Sequence, residues 1–133
     1  MLKKVHHIGI AVKDLKEAAE KYVAITGIKH YETEYVPGQD VEVAMFEVGE
    51  SRIELLQGKS ENSPISKFLE KNREGLHHVA YEVEDIDKAL EELKAQGFAL
   101  IDEKARIGAG GMKIAFIHPK STNGVLTELS QVK

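Results

Sequence analysis

Apolar residues along this chain recur at two periods, and the switches between them mark out its elements. From Val5 to Val12 the pattern alternates: His6, Ile8, Ile10 and Val12 share one strand face, and Val5, His7, Gly9 and Ala11 share the other. The period then lengthens. Leu15, Ala18, Ala19, Tyr22 and Val23 fall at helical spacing, Asp14 can cap that helix with Glu17 three residues on, and Gly27 ends it. Three strands fit the next stretch, at about 29–35, 41–48 and 52–56, with Pro37-Gly38 and Gly49-Glu50-Ser51 as turns. Residues 58–75 read as a linker carrying a short helix. Asn62 or Ser63 can cap it, Pro64 sits in its first turn, and Ile65, Phe68 and Leu69 face inward.

The pattern then starts again. A strand is expected at about 76–83, a helix at 86–96 closing at Gly97, and strands near 98–102, 112–118 and 124–130. Residue identities echo along with the periodicity. Val5-His6-His7-Ile8-Gly9-Ile10-Ala11-Val12 matches Leu76-His77-His78-Val79-Ala80-Tyr81-Glu82-Val83 without a gap, at an offset of 78 − 7 = 71. Glu54-Leu55-Leu56-Gln57 matches Glu128-Leu129-Ser130-Gln131 at 128 − 54 = 74. Two echoes in the same order at nearly the same offset indicate two copies of one supersecondary unit. The expected fold class is α+β: two paired βαβββ modules, about 1–57 and 76–133, joined by the helical linker within a single domain over 1–133. Each module has one strand face for its helix and one left over, and pairing the modules encloses the second faces as a cupped cleft of mixed sheet.

Composition narrows the functional classes. A chain of 133 residues with 42% hydrophobic content suits one packed domain. Charged residues make up 30% but are dispersed, and the net charge of −4 comes without a basic stripe, so no nucleic-acid partner is expected. No cysteine is present, which excludes disulfides and thiolate metal sites and makes a cytoplasmic setting the expectation. The apolar runs are too short for a membrane span, and Met1-Leu2-Lys3-Lys4 leads into a strand rather than a signal-peptide core.

The repeat also places chemistry. His7 shares its strand face with the small residues Gly9 and Ala11, and His78 shares its face with Leu76, Ala80 and Glu82. His6 and His77 fall on the helix-packed face, so the second histidine of each doublet is the functional candidate and the first the structural one. Glu54 lies between Ile53 and Leu55, and Glu128 between Thr127 and Leu129. A carboxylate in an apolar strand is costly to bury unless something offsets its charge. Taken singly, each of these residues has a structural reading, with Arg52 or Lys113 as ion-pair partners for the glutamates. Taken as a repeated set, His7, Glu54, His78 and Glu128 call for one divalent cation, whose charge two carboxylates neutralise. The nitrogen-and-oxygen set suits cobalt, nickel, manganese, iron or zinc rather than calcium. His30 reads as surface, Glu82-Val83-Glu84-Asp85 as a strand end and helix cap, and Lys13 to Lys21 as a solvated helix face.

These segments resemble the vicinal oxygen chelate superfamily, which includes glyoxalase I, extradiol dioxygenases, fosfomycin-resistance proteins and methylmalonyl-CoA epimerases. The resemblance is carried by His6-His7-Ile8-Gly9-Ile10-Ala11-Val12, Ile53-Glu54-Leu55-Leu56, Gly75-Leu76-His77-His78-Val79-Ala80 and Gly124-Val125-Leu126-Thr127-Glu128-Leu129. Asn62-Ser63-Pro64-Ile65, Gly108-Ala109-Gly110-Gly111 and Phe116-Ile117-His118-Pro119-Lys120 are similar to the epimerase branch. The resemblance implies metal ligands at His7, Glu54, His78 and Glu128, a divalent ion (Co2+ first, then Ni2+, Mn2+ or Zn2+), an acyl-CoA substrate and a homodimer. It implies interconversion of (2R)- and (2S)-methylmalonyl-CoA by removal and return of one proton. Glu128 and then Glu54 are the candidate acid/base groups, with Lys120 and His118 as candidate substrate contacts. Some epimerases carry Gln where Glu54 stands. Some carry a second-strand glutamate where this chain has Val43; Glu42, one residue earlier, points to the opposite face. Glyoxalase I is the nearest alternative activity, and a non-catalytic metal-dependent drug binder the alternative from another class.

Overall fold

The structure, a computed structural model, describes residues 2–132. It forms two compact units, Ile8–His77 and the described part of Met1–His7 with His78–Lys133. Strand β1 (Leu2–Ala11) contributes its two ends to different units.

In the unit Ile8–His77, the end of β1 is followed by α1 (Leu15–Thr26), β2 (Glu32–Val36), β3 (Val41–Val48), β4 (Ser51–Gly58) and α2 (Pro64–Lys71). The strands run in the order β2-β3-β4-β1. Helix α1 starts where the Asp14 carboxylate accepts from Glu17 N–H, and it stops at Gly27, whose φ of 74° is left-handed and suits a residue without a side chain. The β3–β4 register pairs Ala44 with Leu55 and Phe46 with Ile53, and these residues pack with Val12, Ala19 and Tyr22 as the core beneath α1. The alternate positions, Val43 opposite Leu56 and Met45 opposite Glu54, form the other face of the ladder. Ser63, rather than Asn62, caps α2, its hydroxyl accepting from Ile65 N–H. Gly58 is required just before it: a Cβ there would stand 2.9 Å from Ser63 Cβ.

The other unit repeats the order with β5 (Gly75–Val83, of which it holds the part from His78), α3 (Ile86–Ala95), β6 (Arg106–Ile107), β7 (Lys113–Ile117) and β8 (Thr127–Gln131). Its strands run β1-β5-β8-β7-β6, with β5 and β8 parallel and β8 and β7 antiparallel. Asp85 caps α3 as Asp14 caps α1, accepting from Lys88 N–H. Val83, Ala115, Ile117 and Leu129 meet Ile86, Ala89 and Leu90 of α3 in the core. Opposite pairs of a β-ladder share a face, so Phe116 with Glu128, Ile114 with Ser130 and Ala80 with Glu128 define the face away from α3.

Both βαβββ runs are therefore present, with one departure from the expected elements. The strand expected near 98–102 does not form. Only a single bridge, Leu100 to Ile117, is made there, and the two-residue β6 is the second strand of the run instead. The carbonyl of Phe116 accepts from both Ile101 and Asp102 N–H, while the Asp102 carboxylate takes Phe116 N–H. A side chain thus occupies a ladder position and ends regular pairing. The second strand also begins later than expected, at Glu32.

Candidate metal centre

Three of the four candidate ligands meet in one unit. His7 from β1, His78 from β5 and Glu128 from β8 are each at most 5% exposed. Their Nε2, Nε2 and Oε1 atoms converge: His7 to His78 is 3.1 Å, His78 to Glu128 3.2 Å and His7 to Glu128 3.6 Å. The periodicity produces this. Even-numbered β5 residues and even-numbered β8 residues share the face away from α3, so His78, Ala80, Glu128 and Ser130 all lie there. Ala80 leaves room between the larger groups.

These spacings fit a cation. Donor atoms bound at about 2.0–2.2 Å to one ion stand about 3.0–3.6 Å from one another at right-angled to tetrahedral geometry. The donor chemistry fits as well, two imidazoles and a carboxylate being a set that borderline divalent metals accept. The carboxylate is ionised. Burial pushes the Glu128 carboxyl up, but hydrogen bonds and charge attraction from His7 and His78 outweigh this and hold it well below the ordinary range.

Side chains around the three atoms fix them. Ser130, fully buried two residues along the same face, donates its hydroxyl to Glu128 Oε2 at 2.7 Å. The Nδ1 of His7 lies 2.8 Å from that of His6. Phe116 meets the His78 ring edge-on at 5.6 Å, and the Arg106 guanidinium lies 5.6 Å above the Phe116 ring while pairing with Asp102 at 3.3 Å. Sequence reasoning assigned no role to Ser130 or Phe116, and read Arg106 as a candidate contact for the CoA phosphates or the substrate carboxylate. The signal for Ser130 was present: it replaces Leu56 in the second Glu-Leu-x-Gln copy, a small hydroxyl at an inward position.

Glu54 belongs to the unit Ile8–His77, where it is 3% exposed and its Oε2 stands 3.6 Å from Arg52 Nη1. Arg52 also reaches Glu47 at 2.8 Å. His118 and Lys120 are exposed, and the His118 ring accepts from Lys120 N–H at 3.0 Å as the cap of a short 3-10 turn. Val43 is buried on the Glu54 face of β3, while Glu42 lies on the other face and pairs with Lys59 at 3.2 Å.

The profile of the Glyoxalase/Bleomycin resistance protein/Dioxygenase superfamily matches residues 6–116. An ethylmalonyl-CoA/methylmalonyl-CoA epimerase of Cereibacter sphaeroides is 41% identical over 99% of this chain and 100% of its own length. The mitochondrial methylmalonyl-CoA epimerase of Homo sapiens is 39% identical over 98% of this chain and 74% of its own length. A solved methylmalonyl-CoA epimerase in complex with methylmalonyl-CoA and NH4+ superposes with a TM-score of 0.94 at 36% identity, covering 98% of this chain and 95% of that one. A buried site of two imidazoles and a carboxylate on paired βαβββ modules defines the class, and the chain belongs to that superfamily, within the methylmalonyl-CoA epimerase family.

Proposed function

We propose that the protein epimerises methylmalonyl-CoA at the carbon between thioester and carboxylate, with a divalent ion held by His7, His78 and Glu128. The observation that carries this reading is the convergence of those three buried donor atoms in a chain matched end to end by epimerases. A bound ion would supply Lewis-acid stabilisation of the negative charge that develops on the thioester oxygen, worth several kcal/mol in metal enzymes.

The chain's own residues account for the rest. The imidazoles of His7 and His78 present Nε2 atoms toward one point. Glu128 has one oxygen anchored by Ser130 and the other facing both imidazoles, so it must release a partner before it can take a proton. Inversion is simplest when groups on opposite faces of a planar intermediate remove and return the proton. Glu128 and Glu54 are the proposed pair, with Glu54 carried as a fourth donor on the strength of the sequence repeat. Lys120 and His118 are proposed contacts for the acyl-CoA. Cobalt is the proposed metal, and a cytoplasmic homodimer the proposed form. No helix among the described residues is long and apolar enough to cross a membrane.

The decisive experiment incubates the Co2+-loaded protein with (2S)-methylmalonyl-CoA in D2O. Expected are deuterium at C2, formation of the 2R epimer, loss of both with a chelator, and no lactoylglutathione from the glutathione hemithioacetal of methylglyoxal. Lactoylglutathione formation without deuterium uptake would sink the epimerase reading and leave glyoxalase I.

A further inference from the structure

Among the described residues, His6 is the one buried imidazole beside the candidate centre that the mechanism above does not use. It is 7% exposed, and its Nδ1 stands 2.8 Å from Nδ1 of His7, with the ring planes at 82°. Neighbouring residues on a strand normally point to opposite faces. Here both rings turn their Nδ1 atoms toward each other.

At 2.8 Å the contact is a hydrogen bond, so one nitrogen carries a proton and the other a lone pair. The opposite end of His7 decides which. Its Nε2 lies 3.1 Å from His78 Nε2 and 3.6 Å from Glu128 Oε1, at the point where a cation would sit. A nitrogen that binds a cation must offer its lone pair there, which moves the ring proton to Nδ1. His6 Nδ1 is then the acceptor.

We infer that His6 is a positioning residue for the metal site: by accepting the Nδ1 proton of His7 it fixes the tautomer and ring orientation that aim Nε2 at the shared point. The inference rests on the metal reading of His7, His78 and Glu128. It assigns a role to the first histidine of the leading doublet, which sequence patterning had treated as structural. The second doublet adds ring contacts of its own. There the first ring, His77, packs edge-on against Phe68 at 4.8 Å, and His78 is instead braced by Phe116.

Two variants separate the role from simple packing. Asn places its Oδ1 where Nδ1 stands in histidine and keeps an acceptor, whereas Leu fills space without one. His6→Leu is expected to weaken Co2+ and Zn2+ binding, measured by chelator competition, by about 10–100-fold. His6→Asn is expected to restore affinity to within about threefold of wild type. In 15N-labelled wild-type protein, an NMR coupling between the two Nδ1 nuclei across the hydrogen bond is expected, with the proton on His7 once Zn2+ is loaded. Wild-type affinity in a folded His6→Leu protein, or equal losses in both variants, would overturn the inference. If His6→Leu fails to fold, His6→Asn and the coupling still decide: loss of affinity in the former or absence of the latter overturns it. A wild type that binds no divalent ion refutes the metal reading separately, because the coupling is read without metal. Its absence then overturns the His6 assignment as well, and its presence retains only the His6–His7 bond.

Discussion

Glu54 and Glu128 occupy matching points of two copies of one unit, and their surroundings differ. Both are buried carboxylates on the strand that closes a βαβββ run, on the face turned from that run's own helix. Two residues before Glu54 stands Arg52, whose guanidinium lies 3.6 Å away; the counterpart before Glu128 is Leu126, which packs against Met112, Ile114 and Phe116. Two residues after Glu54 stands the buried Leu56; the counterpart after Glu128 is Ser130, which holds one carboxylate oxygen. In the first copy, charge on the strand is offset by the strand itself. In the second it is offset by imidazoles that a cation can also use. Two differences on a common backbone thus give the two glutamates different neighbours.

The sharpest way to break this comparison is to remove each charge while keeping its shape. Glu128→Gln takes the Glu128 carboxylate from two facing imidazoles and is expected to lower epimerase activity by about 1000-fold, several kcal/mol of barrier, with divalent-ion affinity falling in parallel. Glu54→Gln keeps an oxygen donor but removes the second group of the proposed acid/base pair, so a loss of activity of about 100-fold is expected with a smaller fall in ion affinity, of about 10-fold or less. Steady-state kinetics with chelator competition check both. Equal large losses would mean that the two copies contribute alike.

The neighbours sharpen it next. Arg52→Met takes the guanidinium from a buried carboxylate and is expected to cost about 2 kcal/mol of stability in urea melts. Ser130→Ala removes a hydrogen bond to an ionised group, for a similar loss of about 1.5–3 kcal/mol. Only Ser130→Ala is expected to reduce ion affinity as well, by about 10-fold. A selective effect of Arg52→Met on ion binding would instead give the first copy the larger part in the site.

Much of this contrast was legible before any coordinates, and the reason is periodicity. A repeat of two places His7, His78, Glu54 and Glu128 on faces, and the echo of Glu-Leu-x-Gln pairs the two glutamates. The caps at Asp14 and Asp85 and the terminator Gly27 were legible because each satisfies a local backbone requirement. The strand expected near 98–102 was not, because its failure comes from a long-range competition between the Asp102 carboxylate and a ladder N–H. The hydrogen bond of His6 to His7 was hidden for a related reason. Alternation assigns faces, but it does not foresee two adjacent rings turning toward each other.

Acidity probes the second copy alone. The Glu128 carboxyl is held below its ordinary value near 4.5 in the folded metal-free protein. A group with a depressed folded value stabilises the fold above its unfolded value and loses that contribution as pH falls toward the folded one. The metal-free wild type is therefore expected to lose stability relative to Glu128→Gln as pH drops below about 4.5. Urea melts of the two proteins across that range check the sign. A gap that widens with acid would mean that Glu128 gains nothing from His7 and His78 in the fold.

The smallest expected effect is the one on which the two copies should agree. The echo Glu-Leu-x-Gln ends in Gln57 and Gln131, and neither touches a candidate metal ligand. Gln57 Oε1 accepts Leu15 N–H at 2.7 Å, and Gln131 Oε1 accepts Ile86 N–H at 2.9 Å, in each case the first residue of the helix packed on that unit. A helix leaves its first N–H groups without internal partners, so each glutamine ties a closing strand to the start of the helix that covers it. The same two residues of sequence spacing that turn Glu toward one face leave Gln, three positions on, on the other face with the helix. Gln57→Ala and Gln131→Ala are each expected to cost about 1 kcal/mol, because water can take over an N–H at a helix end. Ion affinity is expected to stay as in the wild type. Matched urea melts would show the scaffold behaving as a repeat where its glutamates do not. A loss at Gln131 well above that at Gln57 would instead mean that the anchoring of α3 is part of how Glu128 is held.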